Sequence, residues 1–128
     1  MRKFVYNKLV RDKIPILMAA QGEVVEVRTL GEREYRTELF SKLGEEVTEL
    51  TTSADVGLDD VVDLLEVIGN IATNAGLTEA QIKAAQNSKR ETYGSFGKRQ
   101  FVGTVEIPEG NEWLDYLRAN PERYPEIL

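Results

Sequence analysis

The sequence predicts a mainly α-helical fold with short peripheral β-strands, and three features carry that expectation. Apolar residues recur at helical spacing over 32–52 (Tyr35, Leu39, Phe40, Leu43, Val47, Leu50) and over 58–75 (Val61, Leu64, Leu65, Ile68, Ile71). Only Ser53-Ala54-Asp55-Val56-Gly57 joins the two stretches, and a connection that short makes them antiparallel neighbours. Alternating apolar and polar residues are confined to two short runs, 23–30 and 100–107. With 128 residues, 41% of them hydrophobic and 30% charged, the chain reads as a single domain over 1–128 with a modest core.

From the N-terminus, Phe4 to Val10 mixes aromatic and β-branched residues and reads as an extended entry into a short helix. Pro15 suits that helix's first turn, where its missing N–H costs nothing, and Gly22 ends it. The run 23–30 puts Val25, Val27 and Thr29 on one face with Glu26 and Arg28 on the other, as a strand requires, and Gly31 closes it. The two long amphipathic helices follow. Gly76 stops the second, and Thr78 with Glu79 and Gln81 reads as the capped start of another helix running to about 92. A loop over 93–97 precedes the second strand, with Phe101, Val105 and Ile107. After the Pro108-Glu109-Gly110 turn, Trp113, Tyr116 and Leu117 mark a short terminal helix before a proline-containing tail. These elements offer few apolar surfaces to close on one another, which favours pairing with a second copy.

Composition narrows the chemistry. Sixteen Lys and Arg against 22 Asp and Glu give a formal charge of −6, which argues against a nucleic-acid polymer as partner. Cysteine and histidine are absent, removing disulfides, thiol nucleophiles, Ser-His-Asp triads, imidazole acid/base chemistry and ordinary zinc sites. Carboxylates, amines, hydroxyls or a hard metal ion remain. No stretch approaches the ~20 apolar residues of a membrane span, and no signal-peptide core is evident. The expectation is a soluble, cytoplasmic protein without a membrane partner.

The charge pattern departs from that of an ordinary helix pair. Between Lys42 and Lys83 there is no Lys or Arg, yet the interval carries Glu45, Glu46, Glu49, Asp55, Asp59, Asp60, Asp63, Glu66 and Glu79. A solvated helix face usually interleaves the two signs, because opposite charges at i,i+4 stabilise by roughly 0.2–0.5 kcal/mol and like charges cost as much. Glu46 and Glu49 project from one side of their helix, as do Asp60 and Asp63. At about 100° per residue Glu46 falls beside Leu39, Leu43 and Leu50, on the edge of the apolar stripe, where an unpaired carboxylate is costly or stays protonated. Antiparallel packing brings both pairs toward the shared loop. The bland reading is surface acids, with Asp59 and Asp60 favouring a helix N-terminus. The functional reading is a hard divalent cation, Mg²⁺ with Mn²⁺ as substitute, which accepts carboxylate oxygens and offsets their repulsion.

Basic residues gather elsewhere: Arg2, Lys3, Lys8, Arg11 and Lys13 before the first strand, and Lys83, Lys89, Arg90, Lys98 and Arg99 in the fourth helix and its following loop. Flanking the acids, they would complete a polyphosphate site with the cation; otherwise they keep exposed helices soluble.

Tyr6-Asn7-Lys8-Leu9-Val10-Arg11-Asp12-Lys13-Ile14-Pro15 resembles the opening signature of a branch of the all-α nucleoside triphosphate pyrophosphohydrolases, the superfamily of MazG and phosphoribosyl-ATP pyrophosphohydrolase. Glu45-Glu46-Val47-Thr48-Glu49 matches its E-E-x-x-E motif, and Asp60-Val61-Val62-Asp63 sits where its E-x-x-D motif belongs. Lys89 through Tyr93-Gly94-Ser95-Phe96 resembles a downstream lysine and an R-G-x-F-like loop. The resemblance implies a MazG-like helical bundle, completed by homo-oligomerisation into dimers or tetramers. It also implies an Mg²⁺-dependent enzyme that cleaves a nucleotide substrate between the α and β phosphates, releasing a nucleoside monophosphate and pyrophosphate in nucleotide-pool house-cleaning.

Carried over by position, the resemblance makes Glu46, Glu49, Asp60 and Asp63 metal ligands. Asp60 stands where the family has glutamate and is one methylene shorter, so it either draws the metal toward its helix or acts through water. Glu45 or Glu49 would accept a proton from the attacking water. Lys89, Arg11 and Lys13 would hold phosphate oxygens. Tyr93 or Phe96 would pack on base or ribose, although an aromatic in a small chain more often joins the core. Two alternatives stand beside this expectation: a phosphoribosyl-ATP pyrophosphohydrolase, and a catalytically silent helical binding or scaffold protein.

Overall fold

The computed structural model describes residues 1–128 and contains five helices: α1 (Ile14–Ala20), α2 (Glu32–Thr52), α3 (Leu58–Asn74), α4 (Glu79–Tyr93) and α5 (Glu112–Arg118). The mainly α expectation therefore holds. The chain divides into two compact units, Met1–Lys89 and Arg90–Leu128. No helix is long and apolar enough to cross a membrane.

In the first unit α1 has Pro15 in its opening turn, and Gly22 follows with φ +85°, the left-handed conformation that glycine adopts without penalty. Helices α2 and α3 form an antiparallel hairpin, with Glu32, Arg36 and Leu39 of α2 lining one groove with Ile71 and Asn74 of α3. Leu39, at 3% exposure, and Val67 and Ala72 are its buried apolar residues, while Leu43, Leu50, Leu64 and Ile71 are half-buried around them. Burying a side chain of leucine or valine size stabilises by roughly 1.5–3 kcal/mol, so these contacts hold the hairpin closed.

The end of α2 lacks any Lys or Arg in its last turn. Instead the hydroxyls of Thr48, Thr51, Thr52 and Ser53 donate to the carbonyls of Gly44, Val47, Thr48 and Glu49 at 2.6–2.9 Å, second hydrogen bonds to i−4 carbonyls that spend these hydroxyls on the backbone without adding positive charge. Helix α4 opens on a reciprocal cap: the Thr78 N–H donates to Gln81 Oε1 at 2.9 Å, and the Gln81 N–H donates to Thr78 Oγ1 at 3.1 Å.

The second unit holds the last turn of α4, an irregular stretch and α5. Asn111 caps α5 by accepting from the Trp113 N–H at 2.9 Å. Trp113 meets Tyr116 edge-to-face with centroids 5.9 Å apart, and Tyr116 meets Tyr124 at 6.0 Å. Arg118 pairs with Glu109 and Glu126.

The peripheral strands do not form. Residues 23–30 and 100–107 belong to no β-ladder, because alternation builds a strand only where a second extended backbone supplies N–H and C=O partners. The N-terminal segment comes near 23–30, with Lys3 Nζ 3.3 Å from Glu26, but Asn7 turns the chain with φ +43°, which interrupts the extended run. The second alternating segment has no other extended run pairing with it in its own unit.

Candidate functional site

Hairpin geometry assembles the candidate site. Glu45, Glu46 and Glu49 lie in the second half of α2, and Asp60 and Asp63 in the first two turns of α3, so all five belong to the loop end of the hairpin.

Glu46 is the centre of interest. It is the one buried charged residue, 5% exposed, as its place at the edge of the apolar stripe predicts. Lys42 Nζ stands 3.4 Å from Oε1, and Oε2 has no hydrogen-bond partner at all. Loss of solvent raises the Glu46 carboxyl above its usual 4.5, and repulsion from Glu49 raises it further, with a smaller contribution in the same direction from Asp63 across the helix interface. Acids from both helices therefore act on one buried oxygen pair.

Its neighbours are arranged differently. Glu45 Oε1 accepts from Lys8 Nζ at 2.9 Å, with Lys42 Nζ at 3.8 Å. The Lys8 hydrogen bond is the main reason that Glu45 ionises below 4.5. Asp63 Oδ1 accepts from Arg11 Nη2 at 2.8 Å. Asp60 Oδ2 accepts from the Gly57 N–H at 3.1 Å, so one of its oxygens caps α3. Glu49 is exposed and makes no ion pair. No three of these acids stand together in a group able to hold a metal ion.

The predicted phosphate-binding residues separate into two groups. Arg11 reaches the acids through Asp63. Lys13 sits at the N-cap of α1 and Lys89 on the exposed surface of α4, and neither forms an ion pair with a carboxylate. Tyr93 and Phe96 are exposed rather than core, Phe96 at 95%, because no apolar surface of the second unit covers them.

Two residues of the site were not singled out by sequence reasoning: Lys42 and, individually, Lys8. Lys42 has a legible signal, standing one helical turn before Glu45 and Glu46, where i,i+3 and i,i+4 pairs meet. Lys8 has none, since its contact spans 37 positions.

No family model matches the chain, and no solved structure matches it. A stretch of 43 residues is 51% identical to an uncharacterized protein of Mycolicibacterium smegmatis, covering 34% of this chain and 44% of that protein. The chain thus matches less than half the length of that relative.

Proposed function

We propose that the protein is an Mg²⁺-dependent nucleoside triphosphate pyrophosphohydrolase of the MazG-like type. The observation that carries the reading is the buried Glu46 carboxylate with an unpartnered oxygen, near the like charges of Glu49 and Asp63. A buried carboxylate in that setting is stabilised by a proton or by a cation. Its donors are all hard oxygens, the set that suits Mg²⁺ or Mn²⁺.

Glu46, Glu49 and Asp63 would hold the ion, and Asp60 would contribute its oxygen not used by Gly57, directly or through water. When bound, Mg²⁺ would supply positive charge against the negative charge on the phosphate oxygens and make water more acidic. The chain's own groups complete the reaction. Glu45, kept ionised by Lys8, or Glu49 accepts the proton of the water attacking phosphorus. Arg11, Lys13 and Lys89 neutralise phosphate oxygens, and pyrophosphate leaves from the nucleoside monophosphate.

Homo-oligomerisation is part of the proposal. Val61, Leu65 and Ile68 form an exposed apolar stripe on α3, with Leu65 at 60% exposure, and their i, i+4, i+7 spacing gives a second copy a continuous helix face to pack against. Sedimentation velocity of the full chain is expected to report a dimer or tetramer.

A catalytically silent helical scaffold is the second reading, favoured by the use of Asp60 as a helix cap. The deciding experiment incubates the protein and Mg²⁺ with canonical and modified nucleoside triphosphates and with phosphoribosyl-ATP, and measures pyrophosphate. Release from a triphosphate is expected; release from phosphoribosyl-ATP alone moves the assignment to that substrate. No release from any of them, together with no calorimetric Mg²⁺ binding, selects the scaffold.

A further inference from the structure

The ion pair between Arg11 and Asp63 joins the N-terminal segment to α3 across 52 positions, at 2.8 Å. Both side chains are roughly half exposed, so the contact can be exchanged without opening the hairpin. Lys8 makes the parallel contact to Glu45. The same short segment therefore places one cation on each helix of the acidic pair. Asp63 is one of the carboxylates assigned to the metal, and a guanidinium hydrogen-bonded to it opposes the arrival of a second positive charge.

We infer that Arg11 is an exchangeable counterion: it neutralises Asp63 until the divalent cation arrives, then transfers its guanidinium to a phosphate oxygen of the substrate. The inference rests on the metal reading above and adds to it a coupling between the two ligands. A cation that takes over Asp63 frees a bidentate phosphate donor, and phosphate that holds Arg11 away from Asp63 relieves the opposition to the cation. Each ligand thus strengthens the binding of the other by the same factor. Arg11 acts on the metal as a positioning residue and on the phosphate by contact.

Calorimetry on the full-length protein tests this with two probes, Mn²⁺ alone and inorganic pyrophosphate at saturating Mn²⁺. Arg11→Gln is expected to bind Mn²⁺ alone about threefold more tightly, the scale of losing one exposed ion pair, and to bind pyrophosphate about tenfold more weakly, the scale of losing one charged hydrogen-bonding partner. Opposite signs at the two ligands are not produced by local unfolding, which weakens both. Arg11→Lys, which keeps the charge, is expected to leave Mn²⁺ affinity near that of the parent. Arg28→Gln removes the same charge from a pair with Glu34 and is expected to change neither affinity. Equal Mn²⁺ affinity in the parent and Arg11→Gln, or equal tightening by Arg28→Gln, overturns the exchange while leaving the metal reading intact. No Mn²⁺ binding by the parent overturns both.

Discussion

The α2–α3 hairpin and the C-terminal unit are both amphipathic in sequence, yet they settle differently. In the hairpin the two apolar stripes find each other within the chain, and Leu39, Val67 and Ala72 are buried. Between Arg90 and Leu128 no residue is buried. That unit is held by the Asn111 cap, two aromatic contacts and the ion pairs of Arg118. An apolar pattern becomes a core only where a second surface completes it. The same difference shows in the carboxylates: packing removes water from Glu46, whereas the C-terminal carboxylates Glu109 and Glu126 keep their exposure.

Four experiments sharpen or break this contrast. Leu39→Ala is expected to cost about 2–5 kcal/mol in urea unfolding, whereas Val105→Ala in the C-terminal unit stays within about 0.5 kcal/mol of the parent; equal losses would erase the distinction between the regions. Glu46→Gln and Asp63→Asn are each expected to lower pyrophosphate release by about a hundredfold, an effect of the order of 2.7 kcal/mol on the barrier. Undiminished release by both would remove these side chains from the ligand set. Thr78→Ala removes one half of the α4 cap and is expected to cost about 1 kcal/mol, read from the shift in the unfolding midpoint.

The last and smallest effect concerns pH. Because the folded-state Glu46 carboxyl is raised above 4.5, its contribution to stability is fully present below 4.5 and is lost as pH rises through the raised value. Glu45 acts in the opposite sense: its lowered carboxyl contributes stability above 4.5 that is lost as pH falls. Comparing the parent with Glu46→Gln isolates the first effect. The parent is expected to lose stability relative to the variant as pH rises from 4 toward neutrality without metal. A constant difference across that range would show that Glu46 has no special environment.

Much of the fold was legible in the residues. The 3.6-residue period delimits α2 and α3, Pro15 marks the opening turn of α1, and Thr78 with Gln81 marks the start of α4. The burial of Glu46 was legible too, since its angle on the helix places it beside Leu39 and Leu43. The two alternating runs form no strands, because alternation describes one backbone and a ladder needs two. The position of Asp60 suits a metal ligand, but its place three residues after Gly57 also suits a helix cap, the role it takes with one oxygen. Both readings use the same carboxylate, and the local pattern does not choose between them.

What the sequence determined alone is therefore whatever depends on near neighbours: helix periods, caps, turns and the withdrawal of basic residues from an acidic stretch. Only the tertiary structure decided which carboxylate loses water and which cations face the others. Lys8 meets Glu45 across 37 positions and Arg11 meets Asp63 across 52. Solvation and Coulomb energies depend on distance through space, and separation along a folded chain does not measure that distance.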